Sequence, residues 1–269
     1  MSVHYPLVTI KTSGCHSLHI ITKMEKIFNS KIKIPKLIEK KRSKTYNWLM
    51  DLMLAVVSLV ILVYSAILHE IAHGFVAEKL GDPTARLMGR LTLNPKSHID
   101  PFMSILLPLL LIISGSPVVF GAAKPVPVDP FNFREPKKDL AIVSLAGPAT
   151  NALIAIVAAI LIKLLIFATP YFGASPMLTN IVIPVYTFLA LVVRMNLLLA
   201  IFNLIPIPPL DGSKIFALVL SDRQAATYMS IGTFGILIIF FLLMFPIGGF
   251  SLQGIMFSLL TFAQHLLGL

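Results

Sequence analysis

The sequence predicts an all-α polytopic membrane protein with about five to six transmembrane helices. Of its 269 residues, 57% are hydrophobic and only 13% are charged, and the mean hydropathy is +0.88. The apolar residues are gathered in five runs, at residues 48–72, 101–119, 140–169, 181–206 and 227–269. Because about 20 helical residues cross the hydrocarbon core, the pattern indicates one membrane-embedded domain, residues 48–269, rather than a soluble protein.

Two of the apolar runs differ from a simple spanning helix. The run at 101–119 has Pro108 in its middle and ends in a stretch rich in serine, glycine and proline. As a helix, residues 101–115 would reach only about 22 Å, so we expect a short re-entrant segment or a hairpin near residues 101–120. The last run is broken at Pro246, Gly248 and Gly249, which predicts two helices.

A basic segment precedes the first apolar run. It holds ten of the 22 Lys and Arg residues, all within the first 44 positions, and so accounts for much of the formal charge of +10. We interpret this charge as a signal for the lipid bilayer, with no nucleic-acid partner. Residues 1–47 are expected to be disordered or to lie on the membrane surface. A translation start at Met50 would instead remove them from the native product.

His69, Glu70 and His73 form a His-Glu-x-x-His motif at the end of the first apolar run. On a helix, residues four apart share a face, so both histidines can bind one metal ion while Glu70 activates a water molecule, as in metalloproteases. An ion would also neutralise ionisable groups that are costly to bury beside hydrocarbon. A pH-sensitive or proton-relaying cluster is the alternative. Cys15 is the only cysteine, so the metal ligands must be nitrogen and oxygen atoms.

Zinc requires a third protein ligand, for which Asp211 is the candidate. The metzincin pattern is excluded, because it needs Gly and His where this chain has Val76 and Lys79. Residues 203–212 contain three prolines, which break the preceding helix, and Gly212, which permits a tight turn. An unwound strand that carries Asp211 at membrane depth is expected, lining a wet cavity. An ordinary turn after a helix is the alternative.

These patterns resemble the motifs of the site-2 proteases, zinc metalloproteases that cut transmembrane segments within the bilayer. The resemblance rests on residues 69–74 (HEIAHG), 146–151 (AGPATN) and 203–212 (NLIPIPPLDG), in the family's order. Residues 93–101 and 121–128 resemble the compact subgroup, which has neither a PDZ nor a CBS domain. The resemblance extends from residue 51 to the C-terminus. Compact members usually begin with the first helix, whereas here 47 residues precede it.

The resemblance implies a set of site residues. It implies one zinc ion per chain with Glu70 as the catalytic base and Asn203 near the substrate peptide. The implied zinc ligands are His69, His73 and Asp211. Asn151 is expected either to orient a ligand or the substrate, or to belong to a closely packed helix surface together with the small residues before it.

The charged loops predict the orientation of the site. Basic residues lie at 79–96, 124–138 and 214–223, whereas loops 171–180 and 246–250 carry none. By the positive-inside rule, the active site opens toward the cytoplasm of a multi-pass protein in the cell membrane. If each long run crosses once, the C-terminus is expected on the same side as the active site.

The function indicated is that of an intramembrane zinc metalloendopeptidase. It would hydrolyse peptide bonds within or near transmembrane segments of membrane proteins, as in regulated intramembrane proteolysis, so its partner would be a transmembrane protein substrate. The alternative is a metal-binding membrane protein or transporter without protease activity. Glu70 argues against that alternative, because a transporter needs no general base beside its metal ligands.

Overall fold

A computed structural model describes residues 44–100, 106, 123–169, 178–232, 234–249 and 251–269. Contacts within the chain define two units, Met1–Met53 and Leu54–Leu269, and the packing described below lies in the second. The described residues form helices and turns without a strand, which confirms the all-α prediction. Of the predicted basic segment 1–47, all but the start of the first helix lies outside the described residues.

Helices account for most of the described chain. They are α1 (Lys44–Lys79), α2 (Thr84–Leu87), α3 (Pro136–Ala168), α4 (Ile183–Asn203), α5 (Asp211–Phe216), α6 (Asp222–Met229), α7 (Phe234–Met244) and α8 (Leu252–Leu266). Short 3₁₀ turns occur at Pro95–His98, Pro130–Asn132 and Ala217–Val219, and a π-helical turn, Leu178–Val182, leads into α4.

Three segments of the described chain are long and apolar enough to cross a membrane, namely Leu52–Lys79, Pro136–Ala168 and Asn180–Asn203. A fourth span results if α6 and α7, which are bent by 69°, are counted as one. The predicted re-entrant segment or hairpin near 101–120 lies outside the described residues, apart from residue 106. The total of five to six spans therefore stays a prediction.

Helix α1 continues beyond the apolar run that predicted it, which ended at residue 72. It reaches Lys79 because its last turns are packed against other elements. Ala77 is fully buried and contacts Phe133 and Val143, which are also buried. Burial of this apolar face stabilises helical structure where the sequence itself becomes polar. The extension places the His-Glu-x-x-His motif inside the helix rather than at its end.

The main core lies between α3 and α4. Small side chains on α3, including Ala155 and Ala158, are at most 3% exposed and pack against Val193 and Leu197 of α4 and Leu260 of α8. Without a strong hydrophobic driving force between helices in lipid, small residues allow the close backbone approach that van der Waals packing needs. This core holds α3 and α4 in fixed register with each other.

The C-terminal tract contains the two predicted helices after residue 233, but both are short. α7 has 11 residues and α8 has 15, or about 16 and 22 Å of helix. The last residues lie beside Lys163, since a Cβ on Gly268 would be 3.0 Å from its Nζ. Lys163 lies about 40 Å along α3 from Pro136. The C-terminus therefore lies near the end of α3 that is remote from the basic loop. The side of the membrane on which it lies stays a prediction.

The loop between α1 and α3 is organised around Asp82, which is 0% exposed. Its Oδ1 accepts hydrogen bonds from the Thr84 N–H (3.1 Å) and from Asn132 Nδ2 (2.8 Å), and its Oδ2 accepts one from the Asp129 N–H (2.8 Å). Burial by itself raises the pKa of Asp82, but the bonds from Thr84, Asp129 and Asn132 outweigh burial and lower that pKa below its ordinary value. The ionised carboxylate ties residues 129–132 to the end of α1.

We expect Asp82 to make stability depend on acidity. Because its pKa is lower in the folded chain, its contribution is fully present above the ordinary carboxyl pKa of about 4 and is lost as pH falls through the folded value. The variant D82N should lose about 1–3 kcal/mol of stability at neutral pH. When the pH is lowered, the stability of D82N should decrease less than that of wild type. Thermal melts in detergent test this, with D222N as the control for an exposed carboxylate; parallel wild-type and D82N pH curves would contradict it.

The position of the C-terminus makes a second prediction. Phe131 is 96% exposed in the loop before α3, at the end of the fold remote from Gly268. In a Cys15→Ser background, a membrane-impermeant maleimide should label F131C and a cysteine appended after Leu269 from opposite sides of sealed vesicles. Labelling of both from one side would show that the tract after α6 crosses the membrane an even number of times.

Candidate metal centre

Three buried side chains meet at one point in the interior. His69 and His73 lie one turn apart on α1, and their Nε2 atoms are 3.0 and 3.1 Å from Oδ2 of Asp211, which begins α5. The three residues are between 5% and 8% exposed. One ligand atom from each lies within 4.8 Å of the others. The structure therefore brings together the two histidines and the aspartate that the sequence singled out, as a group that can hold a metal ion.

The segment that carries Asp211 is compact. Helix α4 ends at Asn203, and residues 204–210 form successive turns rather than the predicted unwound strand. A Cβ on Gly212 would lie 2.2 Å from the carbonyl oxygen of Leu204, so any larger residue would force this turn open. A Cβ on Gly235 would lie 1.6 Å from the carbonyl oxygen of Pro208, because α7 packs directly on the turn. The backbone is thus closely packed at both Gly212 and Gly235 in the segment that carries Asp211.

The other ring nitrogen of each histidine is bound to a partner on α3. His73 Nδ1 lies 2.7 Å from the carbonyl oxygen of Val143, and His69 Nδ1 lies 2.6 Å from Oδ1 of Asn151. A carbonyl oxygen only accepts, so His73 donates from Nδ1 and keeps its Nε2 lone pair for a ligand role. Histidine ligands in metal sites are oriented by hydrogen bonds of this kind.

The second sequence motif forms the wall of the site. Gly147 faces both rings: a Cβ there would lie 2.5 Å from His69 Nε2 and Cε1 and 2.6 Å from His73 Cε1. Asn151, one turn later, is fully buried and contacts His69. Both interpretations of this motif thus have a structural counterpart, close packing at Gly147 and contact with a candidate ligand at Asn151.

Glu70 lies on the same helix and is half-buried. Its Oε2 accepts a hydrogen bond from the Val126 N–H at 2.8 Å. Val126 stands between two prolines, so it supplies the one backbone donor of that tripeptide. The loop packs closely on α1 at Gly74, where a Cβ would lie 2.7 Å from Leu91 Cδ2 and 3.0 Å from Val126 Cγ1. Arg90 secures the segment by donating from a guanidinium nitrogen to the carbonyl oxygen of Lys124 at 2.8 Å.

Asn203 is placed differently from the other predicted site residues. Its side-chain amide donates to the carbonyl oxygen of Leu199, 3.0 Å away in its own helix, and the residue is half-buried. The structure does not join it to the histidines, and its position near a substrate stays a prediction.

Sequence reasoning missed several residues around the centre. Lys214 lies with Nζ 3.3 Å from Asp211 Oδ1, and the Val126 N–H binds Glu70. Asn196 and Ser65 are buried close to Asn151. A signal for these last two was present in the sequence, because each is a polar residue within an apolar run, where a polar group needs a partner.

The donor set fits zinc. Two imidazole nitrogens and a carboxylate oxygen converge from two helices, and three ligands of this kind leave a coordination position for a reactant, as catalytic zinc sites require. The three residues are buried, and an ion would compensate the cost of burying Asp211.

Gly147 is expected to be required for metal binding. In G147A the added methyl group would push His69 and His73 apart, so zinc affinity should fall by about tenfold or more. Alanine favours a helix by about 1 kcal/mol over glycine, so a loss cannot be ascribed to a weaker α3. Competition with a chelator measures the affinity. G254A is the control, because its Cβ would meet atoms only at 3.4 Å or beyond; equal zinc affinity in G147A and wild type would contradict the steric argument.

Known proteins are similar in sequence to this chain over most of the described fold. The profile of Peptidase family M50 matches residues 57–246, which include all the residues of the metal-binding group. The chain is 35% identical over 191 residues to "Putative zinc metalloprotease YwhC" of Bacillus subtilis, covering 71% of this chain and 81% of YwhC.

Two further relatives are mycobacterial. "Putative zinc metalloprotease Rip2" of Mycobacterium tuberculosis is 34% identical over 151 residues, 55% of this chain and 51% of Rip2. The protein of the same name in Mycolicibacterium smegmatis is 30% identical over 182 residues, which are 68% of this chain and 64% of the smegmatis protein. No solved structure matches the chain. The chain therefore belongs to peptidase family M50, in agreement with the membrane metalloprotease that its three motifs predicted.

Proposed function

We propose that the protein is an intramembrane zinc metalloendopeptidase that cleaves within or near transmembrane segments of membrane proteins, as in regulated intramembrane proteolysis. The observation that carries the proposal is the buried group of His69, His73 and Asp211, two of them on a helix apolar enough to span the membrane. The names of the relatives, which describe zinc metalloproteases, support zinc as the metal. The peptidase domain comprises residues 48–269, and the partners are the bilayer and the substrate.

One zinc ion per chain would be held by His69 Nε2, His73 Nε2 and a carboxylate oxygen of Asp211. When bound, zinc supplies Lewis-acid chemistry: it polarises a peptide carbonyl and makes a water molecule more acidic. The two Nδ1 atoms remain bound to α3, so the rings keep their orientation when the Nε2 atoms take up the ion.

Glu70 serves as the catalytic base. It takes a proton from the attacking water and returns a proton to the leaving amine, so that one carboxylate serves both transfers. The Val126 N–H holds one of its oxygens, which limits the rotation of the carboxylate. Asn203, at the end of α4, would bind the substrate peptide.

The depth of the centre suits a substrate in the bilayer. His73 lies about 9 Å along α1 from its end at Lys79, and Gly147 lies about 16 Å along α3 from its start at Pro136. The basic loops flank these two helix ends, so the site opens toward the cytoplasmic face of the cell membrane. A helical substrate hides its peptide bonds in internal hydrogen bonds. It must unwind before cleavage, and helix-breaking residues near the cleaved bond favour this step.

The decisive experiment compares purified wild type with E70Q on detergent-solubilised peptides that contain a single transmembrane segment. E70Q should reduce cleavage by about a hundredfold or more, because the base is lost, while zinc content stays the same. E78Q is the matched control: Glu78 lies two turns further along α1 and pairs with Arg86 at the surface. It should cleave like wild type.

Two outcomes would overturn the proposal. Substantial cleavage by E70Q would remove Glu70 from the chemistry. Stoichiometric zinc in wild type without cleavage of any peptide would instead favour a metal-binding membrane protein without protease activity.

A further inference from the structure

A chain of buried hydrogen bonds extends from His69 into the interface between α1, α3 and α4. Asn151 Nδ2 donates to Asn196 Oδ1 at 2.9 Å, and Asn196 Nδ2 donates to Ser65 Oγ at 2.9 Å. Asn151 and Asn196 are 0% exposed and Ser65 is 5% exposed. Among the described residues, no hydrogen bond joins Asn196 to a candidate ligand or to Glu70, so the proposed chemistry does not account for it.

A backbone carbonyl determines which atoms donate and which accept in this series of hydrogen bonds. Asn196 Nδ2 lies 2.9 Å from the carbonyl oxygen of Val192, one turn earlier in α4. Because a carbonyl oxygen can only accept, the amide nitrogen of Asn196 must face Val192, and its oxygen must face Asn151. The side chain therefore has one orientation that satisfies both of its ends.

The orientation of Asn196 determines that of Asn151. Asn151 has to donate its amide protons to Asn196 Oδ1 and, more weakly at 3.4 Å, to the carbonyl oxygen of Ser65. Its own Oδ1 then faces His69 Nδ1 at 2.6 Å and can only accept. His69 must donate from Nδ1, which leaves the Nε2 lone pair directed toward Asp211.

We infer that Asn196 is a positioning residue, which through Asn151 fixes the ring orientation and tautomer of His69 in the metal centre. The inference rests on the proposed role of His69 as a zinc ligand. Without Asn196, Asn151 could rotate its amide by a half-turn and present NH₂ to His69 Nδ1. In that arrangement the proton of His69 would move to Nε2, where it blocks ligand binding.

The test measures the zinc dissociation constant of the full-length protein in detergent, by competition with a fluorescent chelator. N196L should raise the constant by about tenfold or more, as the loss of a group that orients a ligand does in other metal sites. V193A is the matched control: Val193 lies three positions before Asn196 in α4, is fully buried, and its truncation weakens the same helix interface. It should leave the constant within about twofold.

A conservative variant separates positioning from packing. Asp at position 196 keeps an oxygen that accepts from Asn151 in either protonation state, so N196D should retain zinc affinity within a few-fold of wild type. Thermal melts of the variants report folding independently. If N196L loses stability as V193A does and yet binds zinc like wild type, Asn196 has only a structural role and the inference is overturned.

A measurement on wild type keeps the inference testable if N196L does not fold. The ¹⁵N resonances of His69 in the zinc-loaded protein should show the metal on Nε2 and a proton on Nδ1. Zinc on Nδ1 would overturn the inference. Cleavage measured in parallel keeps the two proposals distinct, because zinc bound by wild type without proteolysis contradicts the proposed function and leaves the positioning role of Asn196 to be judged by affinity alone.

Discussion

The structure depends on one constraint, which is the free-energy cost of placing ionisable side chains in an apolar interior. His69, His73 and Asp211 are nearly inaccessible to solvent, and their polar atoms are directed at one another. Unpaired groups of this kind would be expensive in a membrane-spanning fold. Because the three side chains meet at one point, they can bind a metal ion as ligands, and the ion compensates the cost of burying them.

Neighbouring groups constrain the candidate ligands further, because some of these groups can only accept a hydrogen bond. Carbonyl oxygens of Val143 and Val192 set the direction of the hydrogen bonds that end at the two histidines, directly for His73 and through two amides for His69. A partly satisfied polar network would be less stable than an apolar core. The amides of Asn151 and Asn196 are bonded at both ends, so the network holds one arrangement around His69.

Close backbone approach is the second requirement of the site. Four helices contribute to it, and glycine occurs where a side chain would collide with a neighbouring element, at Gly74, Gly147, Gly212 and Gly235. Each of these contacts brings a functional group within reach of another: Val126 to Glu70, α3 to the two rings, and the turn of residues 204–210 to the rest of the fold. Alanine contacts between α3 and α4 provide the rigid support behind them.

The sequence by itself determined the class of the protein and the identity of the three candidate ligands with Glu70. Apolar runs and a helical spacing of four are local properties, and they can be interpreted without knowledge of distant contacts. Only the tertiary structure determined the hydrogen bonds between residues that are far apart in the sequence. They include the contact of Asn196 with Ser65, 131 positions apart, and the bond between Val126 and Glu70, 56 positions apart. The position of the C-terminus beside Lys163 of α3 also required the structure, because a contact between the last residues and a distant helix is not a local property of the sequence.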